Sequence, residues 1–403
     1  MTNPSLLERL PSIEGYKRYL LLFATLLVIV VCATRIAQGR FEAVYDQKKL
    51  LEHSLSCEDY PALESGLSSS LLVGLYNVFS PSDSAWSNAC LRTLAMLLYL
   101  MSGFALFSTL QGGNSTALSL LFIMLLSTSR FPFLWLSSEL LAGAFLMLLL
   151  WSVARNSHFL VVSVCTTLFS LSKPDLALPG IVVGLLLAFR MAHGPKEKLT
   201  NVGILLVAIG ALLVPGVIRS GFSYFASQGR ALFSFGQHYA AMVAKHQVAS
   251  AKPDPWIEWE LYFRPIWGQP ESFLQAIRSS PSRYVDFVFL SMSHSVKNFV
   301  RSNLFLLLPP AAYSIARTRQ STLKLVSLLL LCGFIPITLL SYTHTRYIAR
   351  FYPLFLFMTY LFITESQVNK KEQKLISYYL TGVLAIQLCQ LPSVFAAGYW
   401  FPD

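Results

Sequence analysis

The chain has 403 residues, 54% of them hydrophobic and only 13% charged, with a mean hydropathy of +0.55. Ordinary soluble domains are far less apolar, and repeated apolar runs of bilayer-spanning length predict an all-α polytopic membrane protein, one domain over 1–403. The net charge of +11 does not describe a nucleic-acid binder, because the basic residues are scattered through short loops instead of forming one stripe.

In chain order, a polar stretch, 1–18, carries Arg9, Lys17 and Arg18 and precedes the apolar run 19–33. Arg35 follows with no small-x-small cleavage pattern, which reads as a retained anchor and not a removed signal. A long acidic segment, 34–88, comes next and contains Glu42, Tyr45, Asp46 and a weakly apolar piece, 67–79. Apolar runs follow at 89–110, 115–128, 131–153, 159–172, 175–190 and 201–218. A second long polar segment, 219–300, expected to carry interfacial helices, holds three of the seven tryptophans, and runs at 302–316, 323–341, 347–364 and 375–398 complete the chain. The count is about eleven spans.

Orientation follows from the short loops. With the N-terminus cytoplasmic, the loops bearing Arg155, then Arg190, Lys196 and Lys198, then Arg317, Arg319 and Lys324, then Lys370, Lys371 and Lys374 all fall inside. This is the positive-inside pattern, and it leaves the C-terminus and both long segments outside. The same count gathers Asp46, Lys173, Asp175, the 219–300 segment, His344 and Arg346 at the outer face, with Glu139 early in its span near it.

Polar residues committed to apolar runs are costly and mark candidate sites. Ser172-Lys173-Pro174-Asp175 separates two apolar runs, and Pro174 predicts that one helix stops and another starts there. Lys173 suits a phosphate as a point charge, although a simple interfacial ion pair with Asp175 is the plainer alternative. Glu139 opens a long apolar helix, where capping and function are equally good explanations. Arg346 and Arg350 share a helical face; His344 and Arg346 suit an anion, whereas Arg350 is expected to snorkel to the interface. Glu42 and Asp46, four apart, are candidate proton acceptors, against the alternative of a solvated acidic loop. The aromatic stretch Trp256, Trp259, Tyr262 and Trp267 serves equally as an interfacial belt, a sugar-stacking surface or the core of a small external lobe. Among six cysteines, Cys57 and Cys90 bracket a polar loop and are candidates to pair if it faces an oxidising compartment. His238, His246 and His294 have no metal spacing, and no CxxC or HExxH pattern occurs.

These landmarks, in this order, resemble the GT-C superfamily of integral-membrane glycosyltransferases, including bacterial branches that modify lipid A or lipopolysaccharide and protein O-mannosyltransferases. Glu42-Ala-Val-Tyr45-Asp46 is similar to the family's acidic first external loop, Ser137-Ser-Glu139 to the start of a middle span, and Ser172-Lys-Pro-Asp175 to a Thr-Arg-Pro-Glu-like turn. Arg219 with Gly229-Arg-Ala-Leu-Phe-Ser-Phe-Gly236, Pro281-Ser-Arg-Tyr284 and Thr345-Arg346-Tyr347 resemble three later landmarks. Phe41 stands where many members have the first of two adjacent acids, so either Asp46 or Glu42 takes the base's role, and loss of the base is a third alternative. The resemblance implies inverting transfer of a sugar from a polyprenyl-phosphate donor to a lipid, glycan or protein hydroxyl. Asp46 or Glu42 would be catalytic, and Lys173, Arg346, His344 and Arg219 would hold the donor phosphate. Glu139, Asp175 and Tyr45 would contact substrate. No cofactor is required, and a divalent metal is compatible. The implied partners are the donor, the acceptor and membrane lipid. The rival expectations are a lipid-linked oligosaccharide transporter or polymerase, and a non-catalytic protein on a degenerate scaffold.

Overall fold

The computed structural model describes residues 84–109, 138–220, 228–246, 253–301, 304–335, 339 and 350–361, with 372, 375–376, 378–380, 382–383 and 385–386. All regular structure among them is helical. The elements are α1 (Ser84–Ser108), α2 (Ser138–Ala154), α3 (Phe159–Ser172), α4 (Pro174–Arg190) and α5 (Pro195–Ser220), then α6 (Gln228–His246), α7 (Trp259–Trp267), α8 (Phe273–Ser279) and α9 (Pro281–Arg301). A 3-10 turn (Leu304–Leu307) leads into α10 (Leu308–Arg317), followed by α11 (Ser321–Leu331) and α12 (Tyr352–Leu361). Among the described residues no helix is both long and apolar enough to cross a membrane. For instance, α2, α3 and α4 run 17, 14 and 17 residues, against about 20 for a bilayer core.

Two bodies of packing organise these helices. The larger is a bundle in which α2 is central, buried almost all round from Leu140 to Val153 and packed by α1, α3, α11 and α12. The α3–α4 hairpin lies beside it, with α5 across both of its helices. Four hydroxyls of α3 enter this apolar interior satisfied by their own helix. Thr166, Thr167, Ser170 and Ser172 of α3 donate to the carbonyls of Val162, Ser163, Thr166 and Phe169 at 2.6–2.8 Å, which removes the penalty for burying them. The hairpin closes tightly. A Cβ on Gly180 of α4 would run into Ser170 and lie 2.9 Å from its Cα, and one on Gly184 would lie 2.9 Å from Thr166 Cγ2. Gly180 and Gly184 are thus a small-x-x-x-small pair that lets α4 approach the Ser/Thr face of α3, the packing that membrane helices favour.

The segment expected as a second external loop, 219–300, continues α5 to Ser220 and then folds as α6 to α9 around one ring, Phe235. Tyr239, Phe263, Trp267, Phe273, Tyr284 and Phe287 surround it at centroid distances of 5.0–6.2 Å, geometry that favours edge-to-face contact. Gly236 admits Trp259, whose six-membered ring occupies the place of a Cβ. Tyr262 and Trp267 are buried and Trp259 packs partly buried against them, so these three build the lobe's core, while Trp256 is half-buried. The lobe joins the bundle where α9 packs on the 3-10 turn and the Tyr284 hydroxyl donates to Leu339 O at 3.1 Å.

Gly180→Val is expected to wedge α3 from α4 and cost about 1–3 kcal/mol, lowering the thermal midpoint of detergent-solubilised protein. Gly203→Ala, in α5 with nothing within 4 Å of an added Cβ, should leave that midpoint unchanged or slightly higher. Equal effects of the two would mean that the close approach does not hold the hairpin together.

Candidate functional site

The polar turn between α3 and α4 is built as Pro174 dictates. Lys173 is extended (φ −146°, ψ 144°), closes α3 and opens α4, and its carbonyl accepts from Leu176 N at 3.0 Å. Pro174 fills the first position of α4 at no loss, since that N–H has no intrahelical partner. Pro179, inside α4, removes the N–H that would reach the carbonyl of Asp175. The Lys173 side chain is half-buried and makes no cap to the helix it precedes. A cation and the N-terminal end of α4 therefore sit together, an arrangement that favours negative charge.

Two remote segments reach the same end of the bundle. A Cβ on Gly333, just past α11, would lie 3.2 Å from Phe351 Cζ and 3.5 Å from Leu176 Cδ2. The absence of that side chain brings the first turn of α4 against the residues that precede α12. Arg350 is 1% exposed, with its guanidinium 5.3 Å from the Phe351 ring centre, a cation–π stack. The expectation that Arg350 snorkels to the interface is thereby corrected: burial against Phe351 takes the place of solvation. Its carbonyl lies 3.8 Å from the Cβ position of Gly143 in α2, where Tyr99 of α1 also presses in, 2.7 Å from that position at Cε2. Glu139 is one helical turn before Gly143, on the same face of α2. The Tyr99 hydroxyl is buried and makes no hydrogen bond among the described residues, so the interior beneath this end keeps an unsatisfied polar group.

Of the residues singled out in the sequence, Lys173 is placed with its side chain. Glu139, Asp175 and Arg219 are placed by their helices alone: Glu139 in the first turn of α2, Asp175 in the first turn of α4 and Arg219 in the last turn of α5. Glu42, Tyr45, Asp46, His344 and Arg346 lie outside the described residues, as do Cys57 and the 34–83 stretch. Among the described residues no three His, Cys, Asp or Glu side chains form a metal-holding group. His238 is buried with its ring edge-on to Trp256 at 5.3 Å, while Gln237 Nε2 donates to Trp256 O at 2.6 Å. Both belong to the lobe's packing. Burial pushes the hydroxyls of Tyr239 and Tyr284 above the ordinary phenol value. Both are thus held neutral, and the stability that these two phenols contribute is lost as pH rises past the value of 10.0 for an exposed phenol.

Sequence reasoning missed Gly143, Gly333 and Tyr99. The two glycines carried a usable signal, since Gly inside or just beyond an apolar helix often marks a close approach; Tyr99 carried none.

No family profile matches the chain, and no solved structure resembles it. Part of it is 33% identical over 105 residues to proteins described as "Putative ion-transport protein YfeO" from Escherichia coli strain K12 / DH10B, Escherichia coli O157:H7 and Shigella boydii serotype 18. The likeness covers 25% of this chain and 25% of each relative.

Leu176→Ala should open a cavity between Gly333 and Phe351 and cost about 2–5 kcal/mol, seen as a lower thermal midpoint in detergent. Lys173→Ala, at a half-exposed cation, should change stability by only about 0.5 kcal/mol. A larger loss from Lys173→Ala than from Leu176→Ala would make the lysine a structural pin instead of a ligand group.

Proposed function

We propose that the chain is an integral-membrane glycosyltransferase of the GT-C type, transferring a sugar from a polyprenyl-phosphate donor to a hydroxyl of a lipid, glycan or protein. The observation that supports this reading is the approach, at Gly333, of Leu176, three residues after Lys173, to Phe351, the residue before α12. In this reading the donor phosphate belongs to Lys173 together with His344 and Arg346, the latter two outside the described residues. Membrane embedding is supported by large apolar side chains on the outside of the bundle, among them Leu178, Leu199, Leu206 and Val207, all more than half exposed. Water would leave that surface costly; acyl chains would not. The bilayer count, with the N-terminus inside and the C-terminus outside, belongs to the same proposal.

The chemistry is a single displacement. The acceptor oxygen attacks the anomeric carbon as Asp46, or Glu42, takes its proton. The bond from that carbon to the phosphate oxygen breaks on the opposite face, so configuration inverts. The bonding pair leaves with the phosphate, whose growing charge Lys173 and Arg346 stabilise. A lipid-linked donor arrives laterally through the bilayer, which is why cations at helix ends near membrane depth suit it.

A second reading, ion transport, rests on the 105-residue likeness to the bacterial relatives. The interrupted helix at Lys173-Pro174 is compatible with it, because transporters bind ions at such breaks. One preparation separates the two. Full-length protein in proteoliposomes is given membrane lipid extract radiolabelled in its polyprenyl chains, and release of polyprenyl phosphate is measured beside chloride and cation flux. Release is expected, with Lys173→Met and Arg346→Met each lowering it at least tenfold. Either Asp46→Asn or Glu42→Gln should lower it by about 10²–10⁴. Ion flux without release, sensitive to Lys173→Met, would replace the transferase with the transport reading.

A further inference from the structure

The exposed side of α9 divides into two unlike sectors. Val285, Phe289, Met292, Val296 and Val300 are each 49–66% exposed, and their spacing of four, three, four and four residues places them on one line along the helix. That line is about 22 Å long at 1.5 Å per residue. The opposite face, with Phe287, Ser291 and Asn298, is buried. Between the two, also exposed, run Arg283, Asp286, Ser293 and Lys297 with one apolar residue, Leu290, among them; the charges are two cations against one carboxylate, and Arg278 of α8 is exposed close by in sequence. An apolar stripe with a basic flank is the pattern of a helix lying in a lipid interface.

We infer that α9 is the membrane-docking surface of the aromatic lobe, with its Val285–Val300 stripe among acyl chains and Arg283 and Lys297 among the phosphates of anionic phospholipid. The charge decides between occupants. A second copy packed antiparallel on this stripe could set its Lys297 beside Asp286 but would offer no carboxylate to Arg278 or Arg283. An anionic headgroup layer meets the same flank with opposite charge, worth about 1 kcal/mol per cation near the surface. The inference also moves the lobe's lipid contact away from Trp259, Tyr262 and Trp267, whose rings pack its core. It rests on the membrane reading of the chain, and goes beyond it by naming the helix and the lipid charge.

The test uses the full chain carrying p-benzoylphenylalanine at Phe289, or at Ser293 on the polar sector. It is reconstituted into vesicles of phosphatidylcholine alone or with phosphatidylglycerol, irradiated, and read by mass spectrometry. Position 289 should yield a phospholipid adduct several-fold above position 293. Phosphatidylglycerol should raise that yield, and Arg283→Gln with Lys297→Gln should abolish the increase. A cross-linked dimer, a cross-link to another segment of the same chain, or equal lipid yield at 289 and 293 overturns the docking surface. Equal yield with and without phosphatidylglycerol overturns the preference for anionic lipid. Flotation of the vesicles after an alkaline carbonate wash reads the membrane claim separately. Protein lost from the vesicles overturns both readings, whereas protein that floats without an adduct at 289 overturns the docking surface alone.

Discussion

The close approach of α3 and α4 is the constraint on which the rest depends. Gly180 and Gly184 leave no side chain between the helices, so the Ser/Thr face of α3 packs directly on the backbone of α4. The connection between them is one residue, Lys173, extended between Ser172 and Pro174. A lysine therefore stands at the end of a rigid hairpin and not on a loop. Precision of this kind is what a site for a small anionic group requires.

Around that hairpin, the other contacts read as devices for bringing distant parts of the chain to one end. Gly333 lets Phe351 and Leu176 approach. Gly143 lets Tyr99 and the Arg350 carbonyl share one place on α2. Arg350, buried over Phe351, holds the start of α12 from within. At the far end of α10 a different kind of contact appears, with Tyr313 donating to Glu372 at 2.7 Å and Arg317 close by at 3.5 Å. That pair is exposed, and solvent screening leaves it little energetic weight.

Apolar runs made much of the fold legible. The run 159–172 coincides with α3, and 175–190 begins one residue after α4, because Lys173-Pro174 punctuates both. The run 201–218 started too late: α5 opens at Pro195, since Pro in the first turn and Glu197 beside it favour a helix start that hydropathy does not register. The lobe was hidden for a related reason. Phe235, Tyr239 and Met242 lie on one helical face, but their neighbours are polar enough to resemble a loop. Arg350 was misread because a long cation beside an apolar run ordinarily reaches for water, and only the folded chain shows Phe351 beneath it. Of the candidate site, the helix break at Lys173-Pro174 was legible; the glycine that lets Leu176 and Phe351 approach was not, because close approach depends on a partner far away in sequence.

The central claim is that the Lys173 turn and the stretch before Phe351 flank one lipid phosphate. The most direct measurement is photolabelling of reconstituted protein with a diazirine-bearing polyprenyl phosphate, followed by peptide mapping. The account predicts adducts both on the peptide carrying Lys173 and on the peptide carrying residues 344–351, each removed by excess unlabelled polyprenyl phosphate. Labelling confined to outward apolar residues such as Leu206 and Val207, and unaffected by that competitor, would contradict it.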